Sequence, residues 1–507
     1  MKVLDAIAGA QAVAVHRPWP RALVDDAGWS RAIDELAGGR WTLSGLWGDA
    51  GRVHMAVIGE DGDIAVLTYQ CRDGRFPSVG AKHPPAIRLE RAIRSLFGYE
   101  PVGAPDTRPW LDHGRWDVAH PLTSVIPGRG EAARPATTGT YEFLPVEGEG
   151  LHQVPVGPVH AGIIEPGHFR FTANGEFVAR VEVRLGYVHK GIESLLAGAP
   201  LERAAQLVGR TCGDSTVAYS YAFARAVEAA TQAAPPPRAV YLRALMAELE
   251  RLANHLGDVG AVCNDASFAM MHAQTGILRE RVLRAAEACF GHRLMMDMVV
   301  PGGVARDLSA DGAAAIRALV AEVRRLFPRL VELYENTASL QDRTVTAGIV
   351  KAEYARQFGA GGYVGRAAGR NFDARRSPGY APYEALKFDV PVLEAGDVNA
   401  RVWIRIREVE QSLSLVEQIL DLMPQGALRA DVAVAGECEG MAYTEAFRGD
   451  VLVWLRLAGN CRIARCHLRD ASWFQWPLLE TAIENNIIAD FPLCNKSFNC
   501  SYSGHDL

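Results

Sequence analysis

The sequence contains no CxxC pair, no block of like charge, no internal repeat, and no apolar run approaching the roughly 18 residues of a membrane span. Without closely spaced thiols, an iron–sulfur cluster held wholly by this chain is not expected. The nine cysteines are an odd number scattered along 507 residues, which argues for a reducing compartment and against a disulfide framework. Lys plus Arg is 53 and Asp plus Glu is 59, a net charge of −6, so neither nucleic acid nor an anionic membrane surface is indicated as the main partner. A Gly-rich nucleotide loop is also missing. Gly359-Ala360-Gly361-Gly362 follows no apolar strand and reads as a turn, so any NADH used by a complex is bound by another subunit. What remains is an ordinary globular composition, 49% apolar and 22% charged, long enough for two or three domains. The opening MKVLDAIAGAQAVAVHRP is broken by Asp5 and Gln11, and predicts an amphipathic first helix rather than a secretory leader.

The first 120 or so residues read as a small α/β unit. Trp41–Leu46, Val53–Ile58 and Ile64–Gln70 have the character of strands, with a hairpin turn at Glu60–Asp63. Pro84 and Pro85 lead into a helix carrying Leu89, Ile93 and Leu96. A Gly/Pro-rich tail follows, and residues 126–140 have linker composition. Beyond Leu151 a short β region, Phe169–Phe171 and Phe177–Val183, precedes long helices. Leu242, Leu245, Leu249, Leu252 and Leu256 recur every three or four residues after three prolines suited to a helix's first turn. Leu319, Val323, Leu326, Leu330 and Leu333 mark another helix, and Val402, Ile406, Val409, Leu413, Val416 and Leu420 a third. These stripes predict core packing in a helical bundle. The fold class expected is α+β: a small N-terminal α/β domain (1–125), a linker (126–150), and a large, mainly helical domain with a short β region (151–507).

The segment Gly157–Glu193, GPVHAGIIEPGHFRFTANGEFVARVEVRLGYVHKGIE, closely resembles the opening of a large subunit shared by two groups. These are NiFe hydrogenases of the membrane-bound, formate-hydrogenlyase type and the D-type component of respiratory complex I. The resemblance continues through Arg210–Glu228, Glu248–Asp265, Pro301–Val304 and Phe388–Leu413. Arg88–Leu111 resembles the signature region of the C-type component of complex I, with Ser95 for the family's Asp and Gly103-Ala104-Pro105 for its Gly-His-Pro. The order is that of a fused C–D polypeptide.

In hydrogenases of this family four cysteine thiolates hold nickel and iron, soft donors suited to that metal pair. The resemblance places those ligand positions at Cys212, Ser215, Ser501 and Gly504, with Tyr219 where the family has a His. One thiolate of four cannot hold the centre, so a NiFe cofactor is not expected. An unusual ligand set would need Cys494, Cys500 and His505 to approach Cys212.

The resemblance implies instead a quinone as substrate, a 4Fe-4S cluster in a neighbouring small subunit, and membrane-embedded ion-translocating partners. The location implied is the cytoplasmic face of the cell membrane, held there through those partners. His160 matches the first His of the family's strand-turn motif, and Asp265 the Asp after its Asn-His helix motif, here Asn254-His255. A His–carboxylate pair could supply protons to a headgroup. His168 is the rival contact; Tyr219 and Tyr221 lie within a turn of Phe223, which aligns with the complex I tyrosine. Arg210 and Cys212 are the candidate cofactor contacts, and Glu193, Arg401, Arg405 and Glu408 the candidate proton path. The last three lie one turn apart on a helix and can contact one another; the resemblance implies a buried polar chain leading toward the membrane, and the alternative is an interface or surface salt-bridge face. Two alternatives stay open: a NiFe hydrogenase subunit with atypical ligands, and a non-catalytic scaffold of such a complex.

Overall fold

The computed structural model describes residues 2–123 and 141–507. The expected linker therefore lies partly outside the described residues, and its described part, 141–150, carries no helix or strand. The protein is a small N-terminal mixed α/β region followed by a large, predominantly helical domain.

The N-terminal region is built on a five-stranded sheet in the order Gln11–Val13, Arg21–Val24, Ile64–Gln70, Arg52–Ile58, Thr42–Asp49. The central strand Arg52–Ile58 is buried on both faces, with Val53, Met55 and Val57 on one and His54 and Ala56 on the other. The amphipathic first helix is not formed. Val3–Ala6 makes a short 3-10 turn; Gln11–Val13 then pairs antiparallel with Arg21–Val24, and His16–Arg17 parallel with Glu439–Gly440. Two open sheet edges override a weak local helix preference.

The large domain opens with an antiparallel meander, Leu151–Val156, His168–Asn174 and Phe177–Arg184. The long helices follow, among them Thr216–Thr231, Pro237–Asp265, Ala269–Phe290, Ala310–Asn336 and Val398–Leu422. Pro237 occupies the first turn of its helix, and the stripe from Leu242 to Leu256 is wholly inaccessible to solvent. A second sheet, Cys438–Ala446, Gly449–Ala458 and Arg462–Arg469, was not foreseen. It packs between the helix Thr216–Thr231 and the N-terminal sheet. Across that junction Arg21 Nε donates to Glu439 at 2.8 Å, Arg469 Nε to the Ser44 carbonyl at 2.8 Å, and the Tyr443 hydroxyl to Ser44 Oγ at 2.7 Å. The C-terminal residues 501–507 are all buried, threaded between the two regions.

Candidate functional site

Cys212 follows the turn that ends the helix Leu201–Val208 and is itself extended, and the turn Gly213–Ser215 leads directly into the helix Thr216–Thr231. The carboxyl of Glu250, from the neighbouring long helix, accepts the first helical N–H groups, those of Val217 at 2.7 Å and Ala218 at 3.1 Å. Far along the chain, Ser501 begins the final short helix and accepts the Gly504 N–H at 2.9 Å. The fold brings these segments together: Cys212 Sγ and Ser501 Oγ lie 3.0 Å apart.

The space between them is filled by protein. Arg448, at the turn between two strands of the second sheet, reaches Asp214 with both terminal nitrogens, at 2.8 and 2.6 Å. One of these also approaches Ser215 Oγ at 3.4 Å and Cys212 Sγ at 3.8 Å. Gly362 permits this placement; its φ is +59°, and a Cβ there would stand 2.0 Å from the Arg448 carbonyl oxygen. Gly504 is equally constrained, because a Cβ would meet Asp470 Oδ2 at 2.6 Å. The Asp470 carboxylate thus occupies the room that a side chain at residue 504 needs, the position the resemblance assigns to a fourth ligand. Asp470 in turn accepts from the Tyr219 hydroxyl at 2.7 Å and from the Ser472 N–H at 2.8 Å.

The electrostatics agree with the geometry. Burial, reinforced by the Asp214 carboxylate, pushes the Cys212 thiol far up, so it stays protonated and donates to Asp214 Oδ1 at 2.7 Å. Burial alone would raise Asp214 as well, but the Arg448 guanidinium holds it below the usual carboxylate value. A nickel–iron pair needs several thiolates. Here one neutral thiol faces a permanently charged guanidinium, and the residues present do not fit that metal pair. Among the described residues, no three His, Cys, Asp or Glu side chains form a group that could hold a metal ion.

The alternative ligand set does not converge on Cys212. Cys494 lies beside Gly348 and Arg401, Cys500 lies beside Gln475, and His505 stacks on Trp473 while bonding Asp506 at 2.8 Å. Arg210 is exposed and pairs with Asp297 at 2.6 and 2.7 Å.

His160 is half-buried at the edge of this region. Its Nε2 lies 3.2 Å from the Tyr502 hydroxyl, and its ring packs edge-on against Phe169. Burial pushes the Tyr502 phenol up, so it remains a proton carrier rather than a phenolate. His168 is held inside the hairpin, with Nδ1 3.3 Å from the Gly157 carbonyl and Nε2 accepting from Arg170. Burial keeps it below the ordinary histidine value, in the neutral form. Asp265 ends the helix Pro237–Asp265, half-buried; burial raises its pKa against the opposing charge of Lys496. Among the described residues no hydrogen bond or ion pair joins it to His160. Tyr219 faces Asp470, and Tyr221 donates to the Ala381 carbonyl at 3.0 Å.

Two family models match the chain: one described as Respiratory-chain NADH dehydrogenase, 49 Kd subunit, over residues 265–435, and one described as Nickel-dependent hydrogenase, over residues 190–257. Formate hydrogenlyase subunit 5 of Escherichia coli (strain K12) is 33% identical over 436 residues, covering 85% of this chain and 77% of that protein. Hydrogenase-4 component G of the same organism is 32% identical over 448 residues, covering 87% and 78%. The chain belongs to this family of hydrogenase large subunits and complex I 49-kDa subunits. The C/D component of the NADH-quinone oxidoreductase of Phocaeicola vulgatus is 27% identical over 479 residues, covering 89% of this chain and 91% of that one, which marks the fused C/D architecture.

Within this hydrogenase–complex I scaffold the charged residues form a buried network. Arg401, Arg405 and Glu408 are each at most 1% exposed, so they do not form a surface face. Their partners come mainly from other elements. Glu408 binds His255 Nε2 at 2.7 Å and Arg366 at 2.5 Å, with Arg251 at 3.5 Å. Arg366 continues to Glu445 at 3.0 Å. Arg405 pairs with Asp258 at 3.1 Å, and Arg401 donates to Ser497 Oγ and to the Gly348 and Gly396 carbonyls. Burial alone would raise Glu408, yet the surrounding cations hold it well below the ordinary value. Glu193 sits apart with Arg465 and His467, both at 2.8 Å, and they hold it down to about 2 against burial.

Sequence reasoning missed Arg448, Asp214, Asp470, Tyr502 and Asn499. Asn499 joins the two clusters: its carbonyl accepts from Arg448, and its side-chain amide donates to Asp258 at 2.9 Å. The signal available was Asp214 itself, an acid set between two of the four ligand positions.

Proposed function

We propose that this chain is a peripheral-arm subunit of a membrane-associated, complex-I-like oxidoreductase, where it forms a quinone-type cavity against an iron–sulfur small subunit. Electrons would arrive from that partner's 4Fe-4S cluster, and membrane-embedded partners would translocate ions. Among the described residues no helix is long and apolar enough to cross a membrane, so attachment through partners on the cytoplasmic side is part of the proposal. The observation that carries the reading is the Arg448–Asp214 ion pair standing among the former ligand positions while the Glu408 network is kept. A site that no longer handles metal-bound hydrogen can still meet a carrier that takes up two electrons and two protons. His160 and Tyr502, hydrogen-bonded to one another, are the proton-holding groups nearest to that role.

The filled pocket also favours a second reading, in which the subunit is a scaffold without turnover. Quinone-linked turnover of the assembled complex separates the two. On the redox reading His160→Ala and Tyr502→Phe each lower turnover at least about tenfold, the scale of a positioned proton donor. Unchanged turnover in both assembled variants would support the scaffold.

A further inference from the structure

A groove of about 600 Å³ lies on the outward face of the meander that opens the large domain. On its central strand Phe169 and Phe171 point into the core and are fully buried, so Arg170 between them points outward. The segment 141–146 crosses the same face. The Leu144 N–H donates to Glu182 at 2.9 Å, and Arg180 donates to the Leu144 and Pro145 carbonyls at 3.2 and 3.1 Å. Between this segment and the strand Leu151–Val156 the groove is walled by Phe143, Leu144, Val146, Leu151, Gln153 and Arg170. Its volume is that of a small-molecule site, far above the room a single water takes.

Arg170 stands in this wall as a held cation without a counter-charge. Its guanidinium lies 4.4 Å over the Phe143 ring, its Nε donates to His168 Nε2 at 3.3 Å, and its Nη1 donates to Gln153 Oε1 at 3.4 Å. The carboxylate directly across the sheet, Glu182, is taken by Arg108 at 2.5 Å and by the Leu144 N–H. Among the described residues no Asp or Glu pairs with Arg170, and three of its five N–H donors have no protein acceptor. A planar carboxylate meets such a guanidinium with two parallel hydrogen bonds. Phe143, Leu144, Val146 and Leu151 offer apolar surface for the rest of the molecule. An inorganic anion would leave that surface wet, and an uncharged ring would leave the cation unpaired. We propose that this groove binds a small carboxylate with a flat aromatic body, the arylcarboxylate class, its carboxylate on Arg170 and its ring against the apolar wall. The proposal goes beyond the quinone reading and does not depend on it, because none of His160, Tyr502 or Cys212 lines the groove.

The test is calorimetric titration of the full chain with naphthoate, and with naphthamide as the uncharged analogue of the same shape. Naphthoate should bind saturably at one site per chain, and naphthamide at least about tenfold more weakly, the loss expected when a charge-assisted hydrogen bond is replaced. Arg170→Met should bring the two affinities together; if that variant does not fold by circular dichroism, Arg170→Gln is used with the same expectation. Phe143→Ala, which removes part of the apolar wall, should weaken both by about fivefold. Absence of saturable naphthoate binding to the folded chain overturns the proposal. So does equal affinity for the two molecules in the parent chain, a preference for naphthoate that the folded Arg170 variant retains, or naphthoate binding that Phe143→Ala leaves unaltered.

Discussion

Replacing Arg448 by Met removes the group that stands among Cys212, Ser215 and Asp214, where the resemblance places two metal-ligand positions. The guanidinium is 5% exposed and makes two charge-assisted bonds to Asp214, one to the Asn499 carbonyl, and weaker approaches to Ser215 and Cys212. Breaking a buried ion pair from one side costs about 3–5 kcal/mol, because the other charge is left unpaired. The Asp214 side chain is 34% exposed, so water recovers part of that loss, and the expected cost falls to about 2–3 kcal/mol. Asp214→Asn alone leaves a buried guanidinium and should cost a similar amount. The double variant removes both charges and should cost clearly less than the sum, with a coupling of about 1–3 kcal/mol. Urea unfolding of the full chain and both single and double variants measures this. The effect also has a sign in pH: because Asp214 is held below its usual value, the pair's contribution is present above about pH 4 and is lost as pH falls through the depressed pKa. Additive costs, or an Arg448→Met variant as stable as the parent, would mean that the Arg448–Asp214 pair does not stabilise the fold.

Other consequences can be checked in the same way. Burial, with a further push from Asp214, raises Glu250 from 4.5 to about 8, so the folded chain holds a proton that the unfolded chain releases across that window. Stability should therefore fall as pH rises from about 4.5 to 8, by up to about 1.4 kcal/mol per pH unit, and Glu250→Gln should flatten that part of the thermal-midpoint profile. Gly504→Ala forces a methyl against Asp470 and Ser501 and should cost about 1–3 kcal/mol in urea unfolding, with Ser503→Ala as the tolerated neighbour. Glu408→Gln leaves Arg366, Arg251 and His255 without their shared carboxylate, and should lower stability by at least about 3 kcal/mol.

The elements that declare themselves locally were legible. The short apolar, β-branched-rich runs Val53–Ile58 and Ile64–Gln70 with a turn between them, and the leucine stripe from Leu242 to Leu256, are short-range patterns that the fold retains. The run Val451–Leu457 was not: it too is buried on both faces, and without alternation a short apolar run cannot be told from a buried helix by period alone. The first eighteen residues misled because their strand pairings come from Arg21–Val24 and from Glu439–Gly440, the latter more than 400 residues away. The site shows the same limit. Family resemblance points to residues 212, 215, 501 and 504, but not to what fills the space among them. Arg448 meets Asp214 across 234 residues, and Tyr502 meets His160 across 342, pairings that no local spacing encodes.

Elemental analysis of the assembled, purified complex decides whether this chain holds nickel. If Arg448, Asp214 and Asp470 occupy the space that two metals fill elsewhere in the family, nickel should be absent from a preparation whose partner iron–sulfur clusters are fully loaded. One nickel per chain, lost when Cys212 is replaced by Ser, would contradict the account.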